Sequence, residues 1–558
     1  MTEASVVPRA DATRAATATP RTLGPLLRQR LRRDRTQLIL WIGGTAALAV
    51  AGYPGVQQSY GDEQERAALL ATVMANPVIL LFRGLPSGAS DDQMVVFLLL
   101  PWLLILAAMM STFLAVRHTR GDEEDGRLEL LSATPAGRWT PTIATVIHGA
   151  VANVVLGILV AIAFLANGAA IAGAVLVGAS CTLVGLVFLG VGLTAAQLMA
   201  TARGANSLSM WLLLGTFVLA GIGNALGTPS DDLTHLESSW LTWLSPFGWA
   251  ENTRAFDADA WGPALLLAVV AAVLIASALV LQSRRDLGGS FVPERPGRAT
   301  APVTLASNLG LVVRLARGSI VGWVIGGLIV GLITTALGSA VNEIGSANPA
   351  VAAVLEKLGG GSDLQVGVIV VFFILLGILA ACAGVQTIAR ARQDEAHGTA
   401  EIVRGASVPR VRWLGGYLVV ALIAVALTMA AGVAGAALGS ASTGNGASLV
   451  REAAIAGAGQ LLPAVLFVGL TALVFVLMPR LTIPLGWTLV MLAASIALFG
   501  PLFGMDANAT KVSPFASAMA PTAGGVELGG FWWIALAAIA AITATLALMR
   551  GRESAGDG

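Results

Sequence analysis

The chain has 558 residues, of which 56% are hydrophobic and only 12% are charged, and its mean hydropathy is +0.79. Soluble domains carry about 25% charged residues, so this composition excludes a soluble globular protein and indicates a polytopic membrane protein. The 33 basic and 32 acidic residues nearly cancel, but they are sorted by position, so the net charge of +1 does not bear on binding to polyanions. We expect no nucleic-acid partner. Two cysteines are too few for a disulfide framework or a four-cysteine zinc site.

The N-terminal segment divides into two parts. Residues 1–21 are rich in Ala, Thr, Pro and Arg without apolar periodicity, which predicts a disordered cytoplasmic terminus and no cleaved signal peptide. Within 22–37, leucines occupy one helical face and arginines the other, which predicts an amphipathic helix lying on an anionic membrane surface. The alternative is a basic flank that only sets the topology of the first span.

About twelve segments are apolar enough to cross a bilayer, because a spanning helix needs ~20 mostly apolar residues. They lie near 38–57, 94–116, 141–165, 170–199, 207–226, 262–282, 319–340, 366–389, 413–437, 453–478, 482–504 and 529–549. The predicted fold class is therefore an all-α polytopic membrane protein.

The orientation of these spans follows from the distribution of Lys and Arg over alternate loops. With the N-terminus inside, the cytoplasmic segments hold 27 of these residues and the outer loops hold six. The sequence therefore predicts that both termini are cytoplasmic.

Three motifs recur in the same order in the two halves of the chain. Trp41 and Trp323 each begin a Trp-led span, a charged cytoplasmic loop recurs, and so does an outer Ser-Pro-Phe turn, at offsets of 282, 272 and 268 residues. An internal repeat of this kind predicts two parallel six-span halves. The predicted halves are 38–282 and 319–549, with a cytoplasmic linker over 283–318 and a cytoplasmic tail over 550–558.

The charged loop after the second span of each half is the strongest of these repeats. The first copy contains Arg120, Asp122, Glu123, Gly126, Glu129 and Arg138, and the second contains Arg392, Asp394, Glu395, Gly398, Glu401 and Arg410. Glycine costs ~1 kcal/mol in a helix relative to Ala, so its recurrence predicts a bend or a close backbone contact between a helix over 119–125 and one over 127–134. The alternative is a solvated charged loop.

The outer motif is Ser245-Pro246-Phe247 in the first half and Ser513-Pro514-Phe515 in the second, each just before the last span. Nearby tryptophans are typical of an aromatic belt at the headgroup level. A second interpretation is a gate that closes the outer mouth, with these motifs as its turns.

Several kinds of site have no signature in the sequence. Lys357 and Lys511 lie outside any phosphate-binding Gly-rich motif, so the chain has no nucleotide site of that type. The four histidines are scattered, which predicts no metal site. Polar residues within the spans favour helix–helix hydrogen bonding over substrate contact; they are His148, Asn153, Gln197, Asn224, Gln386 and Gln460.

With the charged loop, the Trp-led first span and the run Leu244–Trp249, the chain resembles the permeases of ABC-2-type exporters. It is most similar to the fused twelve-span form that exports polyketide antibiotics and other drugs in actinobacteria. The resemblance covers nearly all of the chain after about residue 22 and implies a type V exporter-like architecture in the bacterial plasma membrane.

The resemblance also implies partners and roles. In such permeases the loop after the second span contacts a separate ATPase, which carries the ATP and Mg²⁺ that this chain has no site for. Two copies of the loop then imply two ATPase copies, and the apolar spans favour a hydrophobic or amphipathic cargo that moves outward. In the second loop, Ala396 and His397 replace Glu124 and Asp125, so its contact with the ATPase is expected to differ.

Two other function classes remain open from the residues alone. A proton-coupled carrier of the major-facilitator kind also has twelve spans in two halves, but few carboxylates within the spans are available for a proton relay. A polytopic membrane transferase would need a cluster of carboxylates or histidines at an interface, and the one such cluster is Asp231, Asp232, His235 and Glu237.

Overall fold

The computed structural model describes residues 20–74, 80, 83–132, 137–292, 300, 302, 305, 307–347, 364–441, 446–499, 507–522 and 525–552. Across these residues the chain is mostly helical, with two antiparallel two-stranded ribbons in loops between the spans. Twelve helices are long and apolar enough to cross a membrane, so the predicted all-α polytopic fold is confirmed.

The helices of the first half precede the linker. They are α1 (Pro20–Ser59), α2 (Glu63–Met74), α3 (Asp91–Val116), α4 (Arg127–Ser132), α5 (Thr140–Ala166), α6 (Ile171–Leu198), α7 (Ala202–Ala225), α8 (Pro246–Glu251) and α9 (Trp261–Ser283). Strand β1 (Thr228–Pro229) pairs with β2 (Leu236–Glu237), and a 3₁₀ turn covers Trp240–Leu244.

The second half repeats the order of the six spans, but its strands follow the Ser-Pro-Phe motif where those of the first half precede it. Its helices are α10 (Asn308–Ala347), α11 (Leu364–Ala396), α12 (Thr399–Gly405), α13 (Arg410–Ser440), α14 (Gly446–Leu477), α15 (Thr482–Phe499), α16 (Ala507–Thr510) and α17 (Phe531–Leu548). Strand β3 (Ala520–Thr522) pairs with β4 (Gly525–Glu527), and a 3₁₀ turn covers Pro479–Leu481. The contacts divide the chain into two compact units, 1–296 and 297–558, each with its own apolar core.

Local sequence explains where individual helices begin and how closely they pack. At the start of α3, Ser90 and Gln93 form a reciprocal capping box, and Asp91 and Asp92 place negative charge in the first turn, where the helix dipole favours it. Between α5 and α6, a Cβ at Gly157 would lie 2.4 Å from the carbonyl oxygen of Gly178. Only glycine allows these backbones to approach so closely, as is common between membrane helices.

The predicted interfacial helix over 22–37 does not form as a separate element, because α1 runs without a break from Pro20 to Ser59. Of its predicted apolar face, Leu26 is buried and Leu31 is 57% exposed, and the polar residues Arg30 and Asp34 are also buried. These two polar residues contact side chains of neighbouring helices, and the contact of this segment with a membrane surface stays a prediction. The predicted disordered terminus, 1–21, lies almost entirely outside the described residues.

Candidate functional site

The two charged loops break at the glycines that recur in the sequence. The helix of α3 continues through a π-helical turn, Arg117–Gly121, to Glu124, so the predicted separate helix over 119–125 is instead the end of the second span. Gly126 has φ 70° and Gly398 has φ 73°, and a Cβ added at either position would meet nothing within 4 Å. The repeated glycine therefore allows a left-handed bend and does not serve a close contact.

In the first loop, the acid before the bend faces inward. The Glu123 side chain is 7% exposed and its Oε2 lies 2.8 Å from Nη2 of Arg285 and 2.9 Å from Nη1 of Arg120. Its Oε1 accepts a hydrogen bond of 2.6 Å from the backbone amide of Gly288. Glu123 therefore ties the loop to the segment that leaves α9.

Arg138, at the far end of the first loop, holds the same segment by its backbone. Its Nη2 donates to the carbonyl of Gln282 at 2.9 Å and to the carbonyl of Arg285. Residue 285 is therefore bound twice, through its side chain by Glu123 and through its carbonyl by Arg138.

The second loop makes the two corresponding contacts, and its partner likewise follows the last span of its own half. Glu395 Oε2 lies 2.8 Å from Nη2 of Arg552, just after α17, and 3.8 Å from Nη1 of Arg392. Arg410 donates to the carbonyl of Arg552. Sequence reasoning identified the loop members of these sets but missed Arg285 and Arg552, which lie 162 and 157 residues from their carboxylate partners.

The first acid of each loop is bound differently in the two halves. Asp122 Oδ1 accepts from Arg33 at 2.6 Å and from Arg127 at 3.0 Å, whereas Asp394 accepts a hydrogen bond from the hydroxyl of Tyr417. The first loop is therefore additionally tied to α1.

Past each bend, the acids of the loop helices α4 and α12 are exposed on the surface. Glu129 and Glu401 are exposed, and the neighbouring apolar side chains Leu130 and Ile402 are 74% and 77% exposed. In the first half, a cleft of ≈ 220 Å³ separates α4 from the end of α9 and is lined by residues such as Leu128, Leu131 and Leu287.

A buried polar cluster lies behind the first loop. Asp34 Oδ2 contacts His118 Nε2 and lies 3.1 Å from His148 Nε2, and Arg117 Nη1 lies 3.3 Å from Asp34 Oδ1. The interpretation of the histidines as scattered is therefore wrong for His118 and His148, which meet only because α3 and α5 both pack on α1. Among the described residues, the potential metal-ligand atoms of Asp34, His118 and His148 lie within 4.8 Å of one another. Arg117, which lies beside the carboxylate of Asp34, supplies its countercharge.

The outer Ser-Pro-Phe motifs anchor the outer loops to the fifth span of their own half. Ser245 Oγ donates to the carbonyl of Thr216 and Ser513 Oγ to the carbonyl of Ala493, each at 2.7 Å. Phe247 and Phe515 are fully buried, and Pro246 and Pro514 precede them. The motifs thus contribute packing on the outer side, and their role as gate turns stays a prediction.

The polar side chains within the spans bond to other parts of their own half. Their partners are Asp34 for His148, Ser111 for Asn153, Arg285 for Gln197, Glu251 for Asn224, Trp323 and Ser319 for Gln386, and the Phe515 carbonyl for Gln460. These bonds agree with the predicted role in holding helices together.

Two acids on the outer side have shifted pKa values. Burial raises the pKa of Glu251, which follows the Ser-Pro-Phe motif, to about 7, against a hydrogen bond from Asn224 that lowers it. Hydrogen bonds from Ser230 and Thr234 lower the pKa of Asp232 to about 2. Asp232 is therefore a hydrogen-bond acceptor within a surface turn. A transferase would need an acid or base that titrates near neutral pH, and Asp232 does not do so.

Two comparisons with known proteins cover most of the chain. A family model described as the multidrug efflux system permease Rv1217c, C-terminal domain, matches residues 27–281 and 305–550. The multidrug efflux system permease protein Rv1217c of Mycobacterium tuberculosis (strain ATCC 25618 / H37Rv) is 34% identical over 546 residues, which cover 95% of this chain and 94% of the relative. Both charged loops and both outer motifs lie within the matched ranges.

Proposed function

The chain belongs to the family of multidrug efflux permeases that includes Rv1217c, and from this membership we propose that it is the permease of an ATP-driven exporter whose ATPase is a separate chain. It is a multi-pass membrane transport protein and not an enzyme in its own right. We place it in a bacterial plasma membrane with both termini in the cytoplasm, because basic residues are concentrated on that side.

The observation that carries the proposal is the duplicated loop. Each copy has a buried ion pair that fixes it to its own half and an exposed helix with an acid beside an apolar side chain. Charged and apolar groups of this kind, displayed on a rigid support, suit a protein interface, in which buried anchors supply affinity and charges supply specificity. Two equivalent copies support one ATPase subunit at each loop.

The partner would supply the chemistry that this chain lacks. ATP and Mg²⁺ would bind to the ATPase, and its conformational cycle would act on the loops. The apolar spans favour a hydrophobic or amphipathic small molecule as cargo, such as an antibiotic or a drug, moving outward.

Purification of the permease together with an ABC ATPase encoded in an adjacent reading frame tests this proposal, and the absence of any such reading frame would count against it. We expect native mass measurement to give one permease with two ATPase subunits. We also expect uptake of the dye Hoechst 33342 from the bath into proteoliposomes to require ATP in the bath, because ATP reaches only those permeases whose ATPase side faces outward. Transport driven by a pH gradient without any ATPase would instead establish the proton-coupled carrier.

A further inference from the structure

We propose that the buried pairs Glu123–Arg285 and Glu395–Arg552 are positioning pairs that make each charged loop and the last span of its half move as one body. This inference rests on the proposed function, since it assigns the route by which a displacement of the loop reaches α9 or α17. Arg285 and Arg552 lie four and two residues beyond the ranges matched by the family model.

The two pairs have the same geometry although their halves differ in sequence. In each, a guanidinium Nη2 lies 2.8 Å from the carboxylate Oε2, with side chains 9% and 7% exposed. A solvated surface pair would be screened and mobile, whereas a buried pair holds one arrangement, because separation would leave the buried arginine without the carboxylate that balances its charge.

The same arginine is also held through its backbone in both halves. Arg138 donates to the carbonyl of Arg285, and Arg410 donates to the carbonyl of Arg552. The two ends of each loop thus converge on one residue after the last span. A displacement of either end of the loop therefore acts on Arg285 in the first half and on Arg552 in the second.

A third contact extends the connection to the fourth span of each half. Arg285 Nε donates to Gln197 Oε1 of α6 at 3.0 Å, and the guanidinium of Arg552 lies 4.4 Å from the ring centre of Phe475 in α14. The chemistry differs, a hydrogen bond in one half and a cation–π contact in the other, but the helix reached is the corresponding one. A role in transmitting motion requires this agreement in placement. Contacts that only stabilise their own half do not require it.

A double-mutant cycle tests the proposal in the complex of permease and ATPase. The variants are Glu123→Gln, Arg285→Gln and their combination, with the equivalent set at Glu395 and Arg552. The readout is the number of Hoechst 33342 molecules transported per ATP hydrolysed in proteoliposomes. We expect each single variant to retain the ATPase but to transport at least about tenfold less dye per ATP. The double variant should lose no more than the glutamate variant alone, because the arginine substitution then removes a contact that is already broken.

The matched control is an exposed ion pair outside both loops, Lys511 and Glu527, whose side chains are 56% and 55% exposed and lie 3.6 Å apart. Glu527→Gln should leave the transport ratio unchanged. A wild-type ratio in the single variants overturns the proposal, and so does a double variant whose loss is the product of the two single losses. The proposed function fails separately, if no ATPase purifies with the wild-type permease.

A second measurement keeps the inference testable in that case. Hydrogen exchange on the permease alone in nanodiscs should show faster exchange of the α4 amides in Arg285→Gln, and no change in Glu527→Gln, because only the first variant releases the loop. Unchanged exchange in Arg285→Gln overturns the pairing as a positioning device.

Discussion

At the scale of single residues, Glu251 lies in a buried position that the sequence does not mark. Within the described part of the chain, its side chain accepts a hydrogen bond from the amide of Asn224, whose own Oδ1 has no protein partner there. Burial raises the pKa of Glu251 from 4.5 to about 7. The carboxyl group therefore keeps its proton in the folded protein over a pH range in which the unfolded chain has lost it.

This shift predicts a pH-dependent stability. Between pH 4.5 and about 7 the unfolded state binds fewer protons than the folded state, so stability falls as the pH rises and levels off above that window. The full effect of a pKa raised this far is on the order of 3 kcal/mol. Glu251→Gln removes this dependence, so we expect its Tm to exceed that of the wild type at pH 8 and to match it more closely at pH 5.

The control for this prediction is Glu237→Gln, which changes an exposed carboxyl group of the same outer region. Thermal unfolding in detergent at several pH values measures both variants against the wild type. If the Tm of Glu251→Gln depends on pH as steeply as that of the wild type, Glu251 is not the group responsible.

At the scale of elements, the two loops separate what sequence can predict from what it cannot. The bend at Gly126 and Gly398 follows from local chemistry, because an interior glycine weakens a helix and readily adopts positive φ, so the repeat alone predicts it. The inward direction of Glu123 does not follow, because its partner Arg285 lies 162 residues away and is brought near only when α9 ends beside the first loop. The outward-facing Glu129 and the buried Glu123 look equally polar in the sequence.

The bend itself gives a prediction about docking. Gly126→Ala places a Cβ at φ 70°, where an L-residue costs ~1–2 kcal/mol, although no neighbouring atom obstructs it. If docking requires the bent loop, the ATPase should bind roughly tenfold more weakly, since ~1.4 kcal/mol corresponds to a factor of ten. Gly126→Asn should recover part of the loss, because Asn tolerates this conformation better than Ala.

Binding of the ATPase to permease in nanodiscs measures this effect. Gly43→Ala is the matched control: Gly43 is helical, has open space where the added Cβ would lie and should accept Ala without loss. Equal affinity of Gly126→Ala and wild type would show that the bent form is not the docking form.

At the scale of the whole molecule, the two halves share the order of their spans and motifs but differ in the contacts that hold their charged loops. The first loop is braced against α1 through Arg33 and the Asp34 cluster, whereas Asp394 of the second loop has Tyr417 on α13. Composition and hydropathy predict the twelve spans, because any helix that crosses the bilayer needs about 20 mostly apolar residues. The unequal bracing depends on side chains from separate helices, and only the folded chain reveals it.

This inequality bears on the two exposed loop helices, where each acid stands beside an apolar anchor. Truncating a charge that becomes buried at an interface costs roughly 2–5 kcal/mol, whereas a rim charge changes little. Glu129→Ala and Glu401→Ala should therefore each lower transport and permease-stimulated ATP hydrolysis, and each should shift the native mass toward a complex with one ATPase. The two losses should differ, because the more firmly braced first loop has less freedom to recover a contact. Asp231→Ala, which changes an exposed acid outside both loops, is the control. Transport at the wild-type rate by both single variants and by the double variant would show that these acids are only solvated surface charges.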